Sequence, residues 1–371
     1  VIVKGYRPIK GGMVLDLFKK MAEEGHEQVV FLRGKSGKLK SIIAFHDTTL
    51  GPALGGTRMF PYASEDEALI DALRLSRGMT LKSGAAGLSY GGGKGIIWGD
   101  PKKDKDELLL RTYGRFIQGL RGRFITGTDV GTYPRDFVQC STETRYLVGM
   151  PVEYGGSGDT SVLTAYGVFL AIQTCVEEAC GKKDLHSLTI AVQGVGKVGS
   201  KLCRHLKEAG AVLLISDIDK DAAARVAAEV GARAVDPKEI LSVQCDVVSP
   251  NAMGAVLSEK TIPHLKCRIV AGGANNQMAT PEDADRLYQR GILYGPDYVV
   301  NAGGVIQVAD ELDGYNYDRC KAKVETIPSL LKTIFAISKA EGINTEAAAT
   351  RMVKERVRKI LELKATLAPA K

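Results

Sequence analysis

Apolar residues along this chain recur with two different rhythms, which divide it near the middle. Up to about residue 150, short strands and helices are mixed. Residues 13–24 (MVLDLFKKMAEE) space their apolar side chains on one helical face and stop at Gly25. Gln28–Arg33 and Lys40–His46 read as strands turned at Gly34–Gly37. Residues 50–59 (LGPALGGTRM) hold too much glycine and proline for regular structure. Ser64 and Glu67 have capping-box spacing, and Ala68, Leu69, Ala72 and Leu73 give the following helix its buried stripe. That helix is expected to hand the chain over at Gly78. Gly95–Trp98 reads as a strand, residues 105–120 as a helix, Phe124-Ile125 as a strand end and Pro134 with Asp136 as a helix start.

Residues 153–159 (EYGGSGD) read as a linker into a long helix from about Thr160 to Cys180. Strand-like runs then alternate with helices: Leu188–Gln193 and Val198–Ala209, Val212–Ser216 and Ala222–Val230, then strands at Asp246–Ser249, Arg268–Ala271 and Gly291–Tyr294. Such alternation implies a parallel sheet with helices on both faces. The expected fold is α/β in two domains, residues 1–150 and 151–335, separated by a cleft. The second is a doubly wound Rossmann-type domain.

Composition narrows the class. With 44% hydrophobic and 25% charged residues, the chain reads as a soluble globular protein, and 371 residues exceed what one core usually serves. A net charge of +7 is spread without a dense basic tract, so no nucleic acid partner is expected. No apolar run approaches membrane-spanning length, and residues 1–18 lack a secretory leader pattern. Seven cysteines with no CxxC, and five scattered histidines, read as reduced thiols in a cytoplasmic protein with no metal site.

Three stretches carry chemistry. Residues 78–97 (GMTLKSGAAGLSYGGGKGII) place Lys82 and Lys94 in an otherwise small and apolar run. Two such lysines are either ordinary surface groups on a glycine-rich turn or a functional pair. In the second case burial and mutual repulsion lower a lysine pKa toward neutrality, and the glycines leave room for a small ligand. FITGTDVGT (124–132) puts Asp129 at a strand exit, as a turn former or as a catalytic group. Gly194-Val195-Gly196-Lys197-Val198-Gly199 lies between the strand TIAVQ and a helix, and a second strand ends at Asp217, eighteen residues on. This is the full βαβ dinucleotide fingerprint. Gly194 suits the tight turn, Gly196 pyrophosphate approach, Gly199 helix packing, and the helix N-terminus the phosphates. Asp217 would accept from ribose hydroxyls and repel a 2′-phosphate, favouring NAD, with Lys197 and Lys220 weakening that preference. Neither Gly93-Lys94 nor Gly196-Lys197 completes a Walker loop. Asn276 in GGANNQ and Asn301 in YVVNAGGVIQ are turn formers or contacts to nicotinamide and substrate.

Eight ordered blocks now carry a resemblance: HDTTLGPALGGTRM (46–59), GMTLK (78–82), GGGKGII (91–97), FITGTDVGT (124–132), YGGSGDTS (154–161), AVQGVGKVG (191–199), AGGANNQ (271–277) and GPDYVVNAGGVIQVADEL (295–312). The chain resembles the glutamate/leucine/phenylalanine/valine dehydrogenases from about His26 to Arg358, nearer the phenylalanine and then the leucine enzymes. The resemblance implies Lys82 as substrate-carboxylate anchor, Lys94 as general base and Asp129 as the partner in proton transfer to the amino group. It implies Gly55, Gly56, Met79 and Asn276 beside the substrate, and Leu54, Gly127, Val305 and Val308 around its side chain. Ile218, Asn251 and Ala252 join Gly194–Gly199, Asp217, Asn276 and Asn301 toward NAD. C-terminal helices, about 336–371, are expected to return to the first domain, and the molecule to be a homo-oligomer with no membrane partner.

The implied reaction is NAD-dependent conversion of an L-amino acid to its 2-oxo acid and ammonia. Lys82 is expected to depress the pKa of Lys94. Gly127, smaller than the alanine of the leucine enzymes, leaves room for a ring and favours an aromatic substrate, L-phenylalanine first. Val305 and the AAGL of residues 85–88 favour branched-chain substrates instead. Leu81 and Asn251 depart from the family pattern. A silent dinucleotide-binding sensor is the alternative class, against which all of Lys82, Lys94 and Asp129 are present.

Overall fold

The computed structural model describes residues 16–366 apart from Ser36 and Met253. Positions 13–15 of the first expected helix lie outside them. What is described of that helix, Leu17–Glu24, ends on Gly25 in the left-handed conformation.

The first sheet has five strands: β1 Gln28–Arg33, β2 Lys40–Asp47, β3 Ala53–Phe60, β4 Gly91–Trp98 and β5 Phe124–Thr128, in the order β1-β2-β4-β3-β5. β1, β2 and β4 pair antiparallel, whereas β3 runs parallel to both β4 and β5. Side chains alternate across a strand, so each face receives its own helices. Ile42, Ala44 and Ile96 face the helix Glu65–Ala85 through its Ala68, Leu69, Ala72 and Leu73. Ile43, Phe45 and Ile97 face the helix Glu107–Gly119 through Leu109, Tyr113 and Ile117.

Three local expectations are corrected. Residues 53–60 form a strand although LGPALGGTRM reads as irregular, because β3 is an interior strand whose neighbours supply hydrogen bonds on both sides. The helix capped by Ser64 does not end at Gly78 but runs through Ala85, held by packing of its last turns, where Gly84 meets Val353 of the helix Thr345–Thr366. The strand expected at Gly95 begins at Gly91. Glycines 91–95 are therefore not free space for a ligand. A Cβ at Gly92 would lie 2.3 Å from Thr80 N and 2.4 Å from Ser76 O, and one at Gly95 2.3 Å from Tyr113 Oη. The room is taken by the protein's own helices.

The second sheet is wholly parallel: β6 Thr189–Gln193, β7 Val212–Ser216, β8 Arg233–Ala234, β9 Val247–Pro250, β10 Ile269–Val270 and β11 Leu293–Tyr294, in the order β11-β10-β9-β6-β7-β8. The order reverses direction at β6, which makes the sheet doubly wound and puts the switch point at the end of β6. The helix Ser161–Cys180 is long and apolar enough to cross a membrane by length and composition, against the sequence expectation. It is instead a core helix, with Leu163, Val168, Ile172 and Val176 buried, packed against the helices Lys197–Glu208 and Ile327–Glu341. The helix Thr345–Thr366 touches both halves: it packs on Glu65–Ala85 and on Asp283–Gln289, and Arg356 donates to Gly84 O and Leu88 O at 2.7 and 2.9 Å.

Candidate active site

A cleft of about 740 Å³ opens between the two sheets. Lys94 enters it from the middle of β4, on the face that carries Gly92 and Ile96. Lys82 enters from the last turns of the helix Glu65–Ala85. The close approach of helix to strand at Gly92 is what places the two lysines in one cleft. Asp129 follows β5 directly, and its Oδ2 accepts from Lys94 Nζ. The Asp129 loop is tied down by Thr132, whose Oγ1 accepts from Asp129 N and donates to Thr57 O.

Lys94 is only 5% exposed. Burial pulls its pKa down to about 7, helped by Arg58, Arg74 and Lys82 and opposed by Asp71. Lys82 lowers the pKa of Lys94 as expected, but loss of water comes first and Arg58 outweighs Lys82. Lys82 is itself pulled down to about 8 by burial, against the pull of Asp297. Burial raises the Asp297 carboxyl above the usual range, although Gln277 N donates to it at 2.9 Å.

Leu54, Gly55, Gly56, Met79, Gly127, Asn276, Asn301, Val305 and Val308 all line this cleft. The room at Gly127 is partly used by the protein: a Cβ there would sit 3.0 Å from Val148 O and 3.1 Å from Val148 Cγ2. Val148 thereby becomes part of the wall. Asn276 is in the left-handed conformation, and its neighbour Asn275 reaches Lys82, with Nζ donating to Oδ1 at 3.3 Å. Asn301 donates to the same oxygen at 2.9 Å. It follows the short helix Asp297–Val300 rather than a strand.

Of the Gly194–Gly199 turn expected to hold a dinucleotide, Lys197 and Val198 line the cleft. Gly194, Val195, Gly196 and Gly199 lie on the same β6–helix turn. Gly194 has φ +90°, and a Cβ on Gly199 would strike Gly194 O at 2.0 Å, so the helix lies directly on the turn. The helix Lys197–Glu208 begins without a side-chain cap, which leaves its first N–H groups for an anion. A Cβ on Gly196 would meet nothing within 4 Å. Asp217 follows β7 directly and accepts from Val195 N at 2.9 Å, with Ile218 exposed beside it. These features fit a dinucleotide. Asn251 spends its side chain locally, with Nδ2 donating to Ser249 O and Oδ1 accepting from Gly273 N at 2.9 Å. Neither Asn251 nor Ala252 lines the cleft.

Sequence reading missed Arg58, Asp71, Asn275, Val148 and Asp297. Arg58 had a visible signal, a lone charge inside GGTRM. The others had none, because their places beside Lys82, Lys94 and Gly127 are set by the assembled fold and not by a local pattern. No cluster of metal-ligating side chains occurs among the described residues.

Residues 26–146 match the Glu/Leu/Phe/Val dehydrogenase dimerisation domain, and residues 155–223 and 217–357 match the Glutamate/Leucine/Phenylalanine/Valine dehydrogenase domain. The chain belongs to the Glu/Leu/Phe/Val dehydrogenase family. It is an amino-acid dehydrogenase, an oxidoreductase. It is 52% identical to leucine dehydrogenase of Geobacillus stearothermophilus over 92% of this chain and 94% of that one. It is 48% identical to phenylalanine dehydrogenase of Thermoactinomyces intermedius over 95% and 97%. The crystal structure of L-tryptophan dehydrogenase from Nostoc punctiforme superposes with a TM-score of 0.84 at 44% identity, covering 93% of this chain and 99% of that one.

Proposed function

We propose that this dehydrogenase catalyses the reversible, NAD-dependent oxidative deamination of a large apolar L-amino acid, with L-phenylalanine favoured. An L-amino acid, water and NAD+ give the 2-oxo acid, ammonium, NADH and a proton. The observation that carries this reading is a buried lysine, Lys94, against Asp129 in a cleft that also holds Lys82 and the start of the dinucleotide helix. Cationic Lys82 anchors the substrate carboxylate. Asp129 exchanges a proton with the amino group. Neutral Lys94 takes a proton from the water that adds to the imine carbon, and ammonia departs as the carbonyl forms. NAD, when bound, supplies the hydride acceptor. The turn Gly194–Gly199 and the uncapped helix would hold its pyrophosphate, and Asp217 its ribose.

The side-chain wall, Leu54, Met79, Val148, Val305 and Val308, carries no charge. A γ-carboxylate buried there would lack a partner, which disfavours glutamate. Gly127 supports an aromatic substrate. Val148, leaning over Gly127, supports the second reading, a branched-chain substrate, as does the leucine dehydrogenase relative. Initial rates of NADH formation with L-Phe, L-Tyr, L-Trp, L-Leu and L-Val, compared as kcat/KM, decide between them. Lys94→Ala is expected to abolish turnover while NADH still binds; undiminished turnover sinks the reading. We further propose that residues 1–150 with the C-terminal helix serve substrate, that residues 151–335 serve NAD, and that the enzyme is a homo-oligomer.

A further inference from the structure

Arg58 stands opposite Ile96 in the β3–β4 register. Lys94 and Ile96 share one face of β4, so Arg58 and Lys94 are diagonal neighbours beneath the helix Glu65–Ala85. The guanidinium is held at two points. Its Nη1 lies 2.8 Å from Asp71 Oδ2, and its Nη2 lies 3.6 Å from Asp129 Oδ1. Asp71 is fixed in turn by Tyr62 Oη, which donates to Oδ2 at 2.6 Å, and by Arg74 Nη2, which donates to Oδ1 at 2.9 Å. Asp129 therefore bridges two cations, Arg58 on Oδ1 and Lys94 on Oδ2. One carboxylate cannot neutralise both. The positive charge of Arg58 offsets the pull of Asp129 and opposes protonation of Lys94, where the carboxylate alone would keep the ammonium protonated. Arg58 cannot take over as a base, because a guanidinium stays charged at any working pH.

We propose that Arg58 is a positioning residue of the deamination, which holds Asp129 in place and keeps Lys94 in its neutral, proton-accepting form. This rests on Lys94 being the base. The charged groups facing Lys94 among the described residues are Arg58 from β3, Asp71, Arg74 and Lys82 from the helix, and Asp129 from the loop after β5. Arg58 is the guanidinium in this set that is tied to both acids, Asp71 and Asp129.

The test is the pH profile of kcat/KM for the amino acid at saturating NAD+, in wild type, Arg58→Gln, Arg58→Lys and Arg74→Gln. Removing a cation raises the pKa of Lys94, so the acid limb of Arg58→Gln moves to higher pH by about one unit, toward the alkaline limb set by Lys82, and the bell becomes narrower and lower. Arg74→Gln, at an exposed side chain, moves the limb the same way by less. Arg58→Lys keeps the charge but cannot fork both acids, so its limb stays while turnover falls at least about tenfold. An Arg58→Gln limb that coincides with wild type overturns the proposal, whatever happens to turnover. Should that variant fail to fold, Arg58→Lys decides, and wild-type turnover in it overturns the proposal. Lys94→Ala separates the two readings: an active Lys94→Ala removes the base itself, whereas an inactive one with an unmoved Arg58→Gln limb removes only the role of Arg58.

Discussion

Lys82 Nζ donates to Asn275 Oδ1 at 3.3 Å across the cleft, joining residues 193 positions apart. The same oxygen accepts from Asn301 Nδ2 at 2.9 Å, which fixes the Asn275 amide with its oxygen toward the lysine. The ammonium thus meets a neutral acceptor, and an arriving carboxylate is a stronger one. Lys82→Met is expected to raise KM for the amino acid and lower kcat/KM by about 100-fold or more. NADH affinity, read by fluorescence titration, stays near wild type. Loss of NADH binding in step with KM counts against an anchoring role.

The two lysines predict the pH dependence. A base must be neutral and a carboxylate anchor must be charged. In the proposed roles, with Lys94 held to about 7 and Lys82 to about 8, kcat/KM is expected to rise through the first value and fall beyond the second. Once bound, the substrate carboxylate stabilises the Lys82 ammonium, so the alkaline limb of kcat lies above that of kcat/KM. Coinciding alkaline limbs remove Lys82 as their source.

Gly92 is where the lysine-bearing helix rests on the lysine-bearing strand. A methyl group there meets backbone atoms of Ser76 and Thr80, which cannot swing aside. Gly92→Ala is expected to cost about 1–3 kcal/mol in urea unfolding and to depress kcat/KM through displaced Lys82. Wild-type stability and activity together contradict this packing.

Glu311 pins the chain where it passes between the sheets. Its carboxylate accepts from Gly149 N at 2.7 Å and from Ser157 N at 2.8 Å, on either side of the Val152–Tyr154 turn. Glu311→Ala leaves two backbone donors without a partner and is expected to destabilise the fold by about 1–3 kcal/mol, lowering the thermal midpoint. An unchanged midpoint argues that water replaces the carboxylate at no cost.

Below neutrality, the packed pair His26 and His46 is expected to make stability depend on pH. His46 is pushed down to about 4 by burial and by His26, and its ring nitrogens contact Thr80 Oγ1 and Glu24 O. The unfolded chain therefore takes up protons first, and stability is lost as pH falls from about 6.5 toward 4, by about 2–3 kcal/mol in all. Urea midpoints at pH 7 and pH 5 measure it, and His46→Gln should shrink the difference. An equal difference in that variant places the titration elsewhere.

The parallel-sheet half was legible in the sequence because its signals are local. Strand, glycine turn, helix and the acid at Asp217 lie within some thirty consecutive residues, and each element is fixed by its own period or by the backbone freedom of Gly194. The lysines were legible as anomalies, two charges in an apolar run. Tertiary structure decided what surrounds them. β3 contradicted its own glycines and proline because neighbouring strands, not propensity, hold it. The glycines before Lys94 serve helix packing, which one strand's sequence cannot reveal. Arg58, Asp71 and Asn275 acquired their relation to Lys94 and Lys82 only when strands and loops far apart in the chain were brought together. Burial, which sets the lysines' proton affinity, is a property of that assembled cleft and of no single stretch.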